Sequence, residues 1–288
     1  MSALALALIL VAAGTHATWN YAAKRSGGGL PFVWVSSTFA LALYAFAATA
    51  YCLWRPPQLP AGIWWVVVGS GLLKTAYSLL LQRAYRVGDF SLVYPLTRGT
   101  APLLATVAAI LIFGERPTPL ALAGSAIIVA SVFLLTGGPG MFNLDRRHLR
   151  QGILHGLACG ACVACYTVWD QRAVSHLHLP PVLYDAGTQL VLFAVVTPFA
   201  WRRRAEVAEA WRDHRGKAAV VGLLSPVAYV LVLTAMSFTP VSYIAPAREI
   251  SILFGTFFGA RLLKEAEGGR RLLAALGMVA GVIALALG

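Results

Sequence analysis

Lys74, Arg98, Asp170, Arg248 and Glu249 lie inside stretches that are otherwise almost wholly apolar. An ionised side chain at the centre of a membrane-spanning helix costs at least ~2.5 kcal/mol, so residues of this kind face a protein interior or a wet path. Lys74 stands mid-stretch, beyond snorkelling reach of either end, and must meet an anion or cavity water. The residue types suit recognition of a charged small molecule, because ammonium and guanidinium groups bind carboxylates. They do not suit bond-making. A paired-carboxylate, metal-ligand or nucleophile-and-base arrangement is missing at that level, so the sequence predicts no enzyme, no metal and no cofactor.

These residues recur in register. Trp19 and Trp169, Arg98 and Arg248, and Glu115 and Glu265 are each 150 residues apart, which makes the chain one unit written twice. Ten apolar runs approach the ~20 residues needed to cross hydrocarbon: 3–23, 30–53, 62–85, 91–113, 119–136, 152–172, 182–201, 217–238, 241–263 and 272–288. Five crossings per copy is an odd number, so the second copy enters the membrane from the other side. The predicted fold is an all-α integral membrane protein of ten transmembrane helices, two inverted five-helix repeats around a central cavity. The first repeat is set at 1–137, a cytoplasmic linker at 138–150 and the second repeat at 151–288.

The repeat pairs His16 with Tyr166 and Asn20 with Asp170. Asp170 is expected to meet Arg248 directly or through one shared water, while Asn20 can hydrogen-bond Arg98 without cancelling its charge. Arg98 and Lys74 would then make the centre electropositive, ready for a substrate carboxylate, and Glu249 would pair with Lys74 or meet a substrate amine. Rings at related heights, Trp19, Tyr77, Tyr94, Tyr166, Trp169, Tyr229 and Tyr243, complete the substrate-binding set with His16, Asn20, Lys74, Arg98, Arg248 and Glu249. Asp170, Glu249 and His16 are gate or proton-carrier candidates. The plainer alternatives are ion pairs that lock a closed state and rings that only pack helices. Pro95, Pro102 and Pro246 predict kinked, cavity-lining helices, with Pro198 and Pro226 as weaker hinges. Asp185, near a span entrance, is expected to be wet, and segments two, five, seven and ten to be peripheral supports.

Composition agrees with the membrane reading: 59% of residues are hydrophobic and mean hydropathy is +0.73. The net charge of +12 is concentrated in alternate loops, after segments one, three, five, seven and nine. Lys and Arg are retained in cytoplasmic loops, so both termini are predicted outside. The excess charge then faces anionic lipid headgroups and is no argument for nucleic acid. Cys159, Cys162 and Cys165 lack a fourth ligand and read, with Gly156 and Gly160, as small residues for close helix contact. The first run has no basic leader or cleavage site and reads as a retained span. No phosphate-cradling GxxxxGK[ST] loop occurs, so transport, if any, is secondary or passive.

Gly14-Thr15-His16-Ala17-Thr18-Trp19-Asn20-Tyr21, Ser91-Leu92-Val93-Tyr94-Pro95-Leu96-Thr97-Arg98-Gly99 and Gly114-Glu115-Arg116-Pro117-Thr118-Pro119 resemble the drug/metabolite transporter superfamily, in its ten-helix EamA-type branch. The resemblance implies a multi-pass protein of a bacterial-type inner membrane that exports or facilitates passage of amino acids or similar small zwitterions by alternating access. Many relatives place the Gly-Glu-Arg turn and both termini in the cytoplasm, whereas the charges here place them outside. A lipid-linked sugar flippase is the alternative reading, and a non-transporting membrane enzyme or scaffold the second. The expected partners are a small-molecule substrate and membrane lipids, and a monomer is compatible with the sequence.

Overall fold

The computed structural model describes residues 1–26, 29–57, 62–87, 90–136, 146–254 and 268–288. Among them the chain is helical, with no strand: α1 (Ala3–Lys24), α2 (Leu30–Trp54), α3 (Ile63–Val87), α4 (Phe90–Phe113), α5 (Pro119–Thr136), α6 (Arg146–Gln171), α7 (Pro181–Arg202), α8 (Arg204–Met236), α9 (Val241–Ala247) and α10 (Gly268–Leu287). A π turn, Arg172–His176, follows α6, and the chain is helical again at 250–254. Local signals set the ends. Ser2 caps α1 by accepting from the Ala5 N–H at 3.2 Å. Gly29 (φ 94°) and Pro31 start α2, and Gly114 (φ 66°) supplies the left-handed residue beyond α4.

Seven helices, α1 to α4 and α6 to α8, are long and apolar enough to cross a membrane. Shorter apolar helices are Pro119–Leu135 and Leu272–Leu287. The rest of the ninth expected span, 255–263, and Glu265 lie outside the described residues, as does most of the expected linker; Arg146 to Arg150 already belong to α6. Of the arginines expected in a loop after segment seven, Arg202 ends α7, Arg203 joins the two helices, and Arg204, Arg212 and Arg215 lie in the first turns of α8, a 33-residue helix. Its first turns hold a packed apolar face: Val207 and Ala210 meet Phe32 and Val35, and Trp211 stacks on Phe39 with centroids 5.5 Å apart. An apolar stripe beneath charged residues favours helix over loop.

The two halves interlock. α4 packs on α6, α5 on α10, α1 and α2 on α8, and α3 on α6 and α7, so the heaviest contacts run between the copies. Within lipid, packing gains come from close backbone approach, which small residues permit. A Cβ on Gly156 would stand 2.8 Å from Leu96 Cβ, and one on Gly124 2.6 Å from Gly281 O. α4 runs as one helix through Pro102 against α6, without a break; a proline removes one ladder bond and packing supplies the rest. Pro198 and Pro226 likewise lie inside unbroken helices. The expected break does occur in the second copy, where α9 ends one residue after Pro246 and the chain turns at Arg248 and Glu249.

Candidate functional site

Between these helices lies a cavity of ≈ 560 Å³. Its walls run from Ile9, Ala105 and Val232 at mid-depth to Ala23, Gly29 and Phe32, at the bundle end where α1 passes to α2. The opposite end is packed. There the Met1 ammonium donates to Ala286 O at 3.1 Å, which puts both chain ends on one face, and Tyr243 Oη lies 3.3 Å from the Thr118 N–H. Glu115, of the turn after α4, accepts from the backbone N–H groups of Val241 and Ser242, each at 2.9 Å. It thereby caps α9 of the other copy with a negative charge at the positive helix end. Glu115→Ala is expected to cost ~1–2 kcal/mol, the scale of a lost cap, read as a lower melting temperature in detergent; Glu115→Gln, which can still accept, should lose less.

The acids of the cavity wall are already engaged. Lys74 Nζ stands 2.9 Å from Asp185 Oδ1 and 3.3 Å from Asp170 Oδ2, and donates to Thr188 Oγ1 at 3.0 Å. Asp170, 0% exposed, also accepts from the hydroxyls of Ser70, Tyr184 and Tyr229. Asp185 accepts from Tyr44 and Thr188. On the other side Arg98 lies 3.6 Å from Glu249 Oε2 and 3.0 Å from His16 Nε2. Arginine has only donors, so that ring nitrogen is the acceptor. Each ion pair joins a cation of the first copy to an acid of the second.

Arg248 differs. It lines the cavity, its guanidinium carbon 5.5 Å from the centre of the Tyr229 ring, and among the described residues no acid comes within 4.0 Å of it. The expected Asp170–Arg248 ion pair is therefore not formed. Lys74 takes Asp170, and the Tyr229 hydroxyl, also on Asp170, puts its ring between acid and arginine. Lys74 and Arg98 do not form the expected electropositive centre, because Asp170, Asp185 and Glu249 neutralise them. Glu249 pairs with Arg98 and not with Lys74, and His16 takes the place expected for Asn20.

Of the residues singled out from sequence, His16, Trp19 and Asn20 on α1, Lys74 and Tyr77 on α3, and Tyr94 and Arg98 on α4 line the cavity. Tyr166, Tyr229, Arg248 and Glu249 line it from the second copy. Trp169 and Tyr243 do not. Trp169 donates to Val66 O at 2.9 Å and packs on Gly69, while Tyr243 sits at the packed end. Asp170 is behind the wall, within reach only through Lys74 and the hydroxyls. Asp185 is not at a wet span entrance: it is 7% exposed and sits on the cavity wall with Tyr44, Lys74 and Thr188 on its carboxylate. The helices expected to be mere supports supply Tyr44 from α2 and Asp185, Thr188 and Gln189 from α7. A tyrosine in mid-α2 and a carboxylate within the first turns of an apolar run were the available signals for them. Cys162 donates to Leu73 O at 3.4 Å and Cys159 is buried against Val93, as helix contacts.

The cavity thus lies between two interlocked helical repeats, with a few charged groups set among apolar and aromatic walls. Two stretches, residues 3–137 and 150–287, match the EamA-like transporter family, and the chain belongs to it. It is 35% identical over 81 residues to a riboflavin transporter of Vibrio cholerae, a match spanning 27% of this chain and 27% of that one. The chain thus covers about a quarter of the length of that curated relative. A solved crystal structure superimposes with a TM-score of 0.75 over 98% of both chains at 21% identity, which speaks to fold alone.

Proposed function

We propose that this chain is a secondary transporter of small carboxylate-bearing metabolites, the class that includes amino acids and similar zwitterions, working by alternating access across an inner membrane through ten crossings. The supporting observation is the Arg248 guanidinium, set on a cavity wall beside aromatic rings with no acid within 4.0 Å among the described residues. A desolvated guanidinium binds a carboxylate in two parallel hydrogen bonds, and the rings suit an apolar body beside it. Counterflow in proteoliposomes with a mixed panel of amino acids, organic acids, riboflavin and lipid-linked sugars tests the reading. Accelerated exchange of a carboxylate-bearing solute supports it, and exchange of lipid-linked sugar alone replaces it with a flippase. A flat neutral ring is the second reading, favoured by the aromatic walls and by the name of the Vibrio cholerae relative; exchange of riboflavin alone would select it.

Orientation follows from charge. With basic loops retained in the cytoplasm, both termini are outside and the cavity end near Gly29 faces inward. A periplasm-active reporter fused after Gly288 is expected to be active, and a cysteine placed at Ser26 to be labelled only after the reagent crosses the membrane. A reporter active only in the cytoplasm reverses the assignment.

A further inference from the structure

The cavity holds three cations, Lys74, Arg98 and Arg248, and three acids, Asp170, Asp185 and Glu249, in or against its wall. With all six ionised the set is neutral, but its distribution is uneven. Arg98 pairs with Glu249 at 3.6 Å. Lys74 is held by two aspartates at 2.9 and 3.3 Å. The resulting single excess negative charge is balanced at a distance by Arg248, since Lys74 and Arg248 both lie over the Tyr229 ring, at 4.4 and 5.5 Å from its centre.

A carboxylate arriving at Arg248 removes that balance and leaves the aspartates with an uncompensated charge in low dielectric, which is costly. One proton restores neutrality, and the geometry says where it goes. Protonating Glu249 would strand Arg98, whereas protonating one of two aspartates leaves Lys74 in a complete pair with the other. Asp185 lines the cavity and Asp170 does not, so Asp185 is within reach of cavity water while Asp170 keeps the ammonium. Asp185 is faced by Lys74 from α3, Tyr44 from α2 and Thr188 of its own helix. Asp170 is faced by Ser70 and Lys74 from α3, Tyr184 from α7 and Tyr229 from α8. Beyond these stand Tyr166 and the Arg98–Glu249–His16 group. No acid of the set is left over for a substrate ammonium.

We propose that the cavity binds a monoanionic carboxylate at Arg248 together with one proton at Asp185, making this an electroneutral proton-coupled carboxylate carrier. This rests on the reading of the cavity as the substrate site and narrows its substrate class. In the coupled step a hydronium proton from the bulk is relayed through cavity water to an Asp185 carboxylate oxygen, leaving the water neutral, the Lys74 ammonium stays on Asp170, and anion and proton leave together on the other side.

Isothermal titration of the purified full-length protein, run in two buffers of different ionisation heat, measures the protons taken up. Phenylacetate is the probe: a ring for the aromatic wall, a carboxylate for Arg248 and no amine. Binding is expected with uptake of about one proton and an affinity about tenfold tighter per unit fall in pH. Asp185→Asn, which imitates the protonated carboxyl, should bind phenylacetate with no proton uptake and no pH dependence. Should that variant fail to fold, the wild-type buffer dependence decides alone. Phenylacetate binding without proton uptake, or uptake that persists in Asp185→Asn, overturns the proposal. Binding of L-phenylalanine or riboflavin but not phenylacetate also overturns it, while leaving the cavity as a substrate site. Absence of binding by all three, with no counterflow of any panel member, sinks the substrate site itself.

Discussion

Lys74→Met is expected to be the most destabilising single substitution in the cavity wall, at ~3–5 kcal/mol, the scale for stripping one partner from a buried ion pair. Its ammonium is the only positive group within 4 Å of either aspartate among the described residues. Removing it leaves two carboxylates facing each other in a membrane interior. The acids are not equally exposed to loss. Asp185→Asn leaves Lys74 on Asp170, and Asp170→Asn leaves it on Asp185, so either should cost less than Lys74→Met. Adding Asp185→Asn to Lys74→Met is expected to return part of the loss, because the remaining Asp170 keeps three hydroxyl donors. Melting temperatures of the four proteins in detergent check the order. If the double variant is no better than the sum of its parts, the ammonium and Asp185 are not coupled.

The same cluster bears on movement. Repeat one gives Lys74 and Arg98, and repeat two gives Asp170, Asp185 and Glu249, so the buried charges hold the halves together. Interlocked helices that exchange faces must carry these pairs as rigid links or break them. A two-acid grip on one lysine permits one link to open while the other stays, which a single pair does not.

The repeat, the membrane class and eleven cavity residues were legible in the sequence because each obeys a local rule: an invariant offset, an apolar run, a charge where none is cheap. Which charge meets which was not legible. The expected Asp170–Arg248 contact rests on repeat register, but register says nothing about azimuth, and α3 brings Lys74 to α6 and α7 first. Asp185 is expected to be wet from its nearness to a helix start, but Tyr44 and Lys74 of the first repeat close on its carboxylate. Trp169 shares its register with Trp19 but not its setting, since Gly69 of the facing helix admits the indole into a packed interface. In each case the missing quantity was a neighbour from the other repeat, 89 to 163 residues away in sequence for contacts such as Cys162–Leu73 and Trp34–Thr197.

Arg248→Gln is expected to cut carboxylate transport tenfold or more while lowering the melting temperature less than Arg98→Gln does. The first half follows from chemistry: a charge-assisted hydrogen bond is worth ~1.5–3 kcal/mol, which is one to two decades in affinity. The second half follows from structure, because Arg248 has no acid within 4.0 Å among the described residues and balances the aspartates only at a distance, so its removal breaks no contact pair. Arg98→Gln makes the contrast, since it unpairs Glu249, which is 5% exposed, and should lower stability as well as transport. Arg248→Lys keeps the charge but loses the bidentate fork, and should fall between wild type and glutamine. Initial rates of radiolabelled carboxylate uptake into proteoliposomes, set beside melting curves, separate the two arginines. Equal losses of stability from both, or undiminished transport by Arg248→Gln, would show that the unpaired guanidinium is scaffold and not the substrate's anchor.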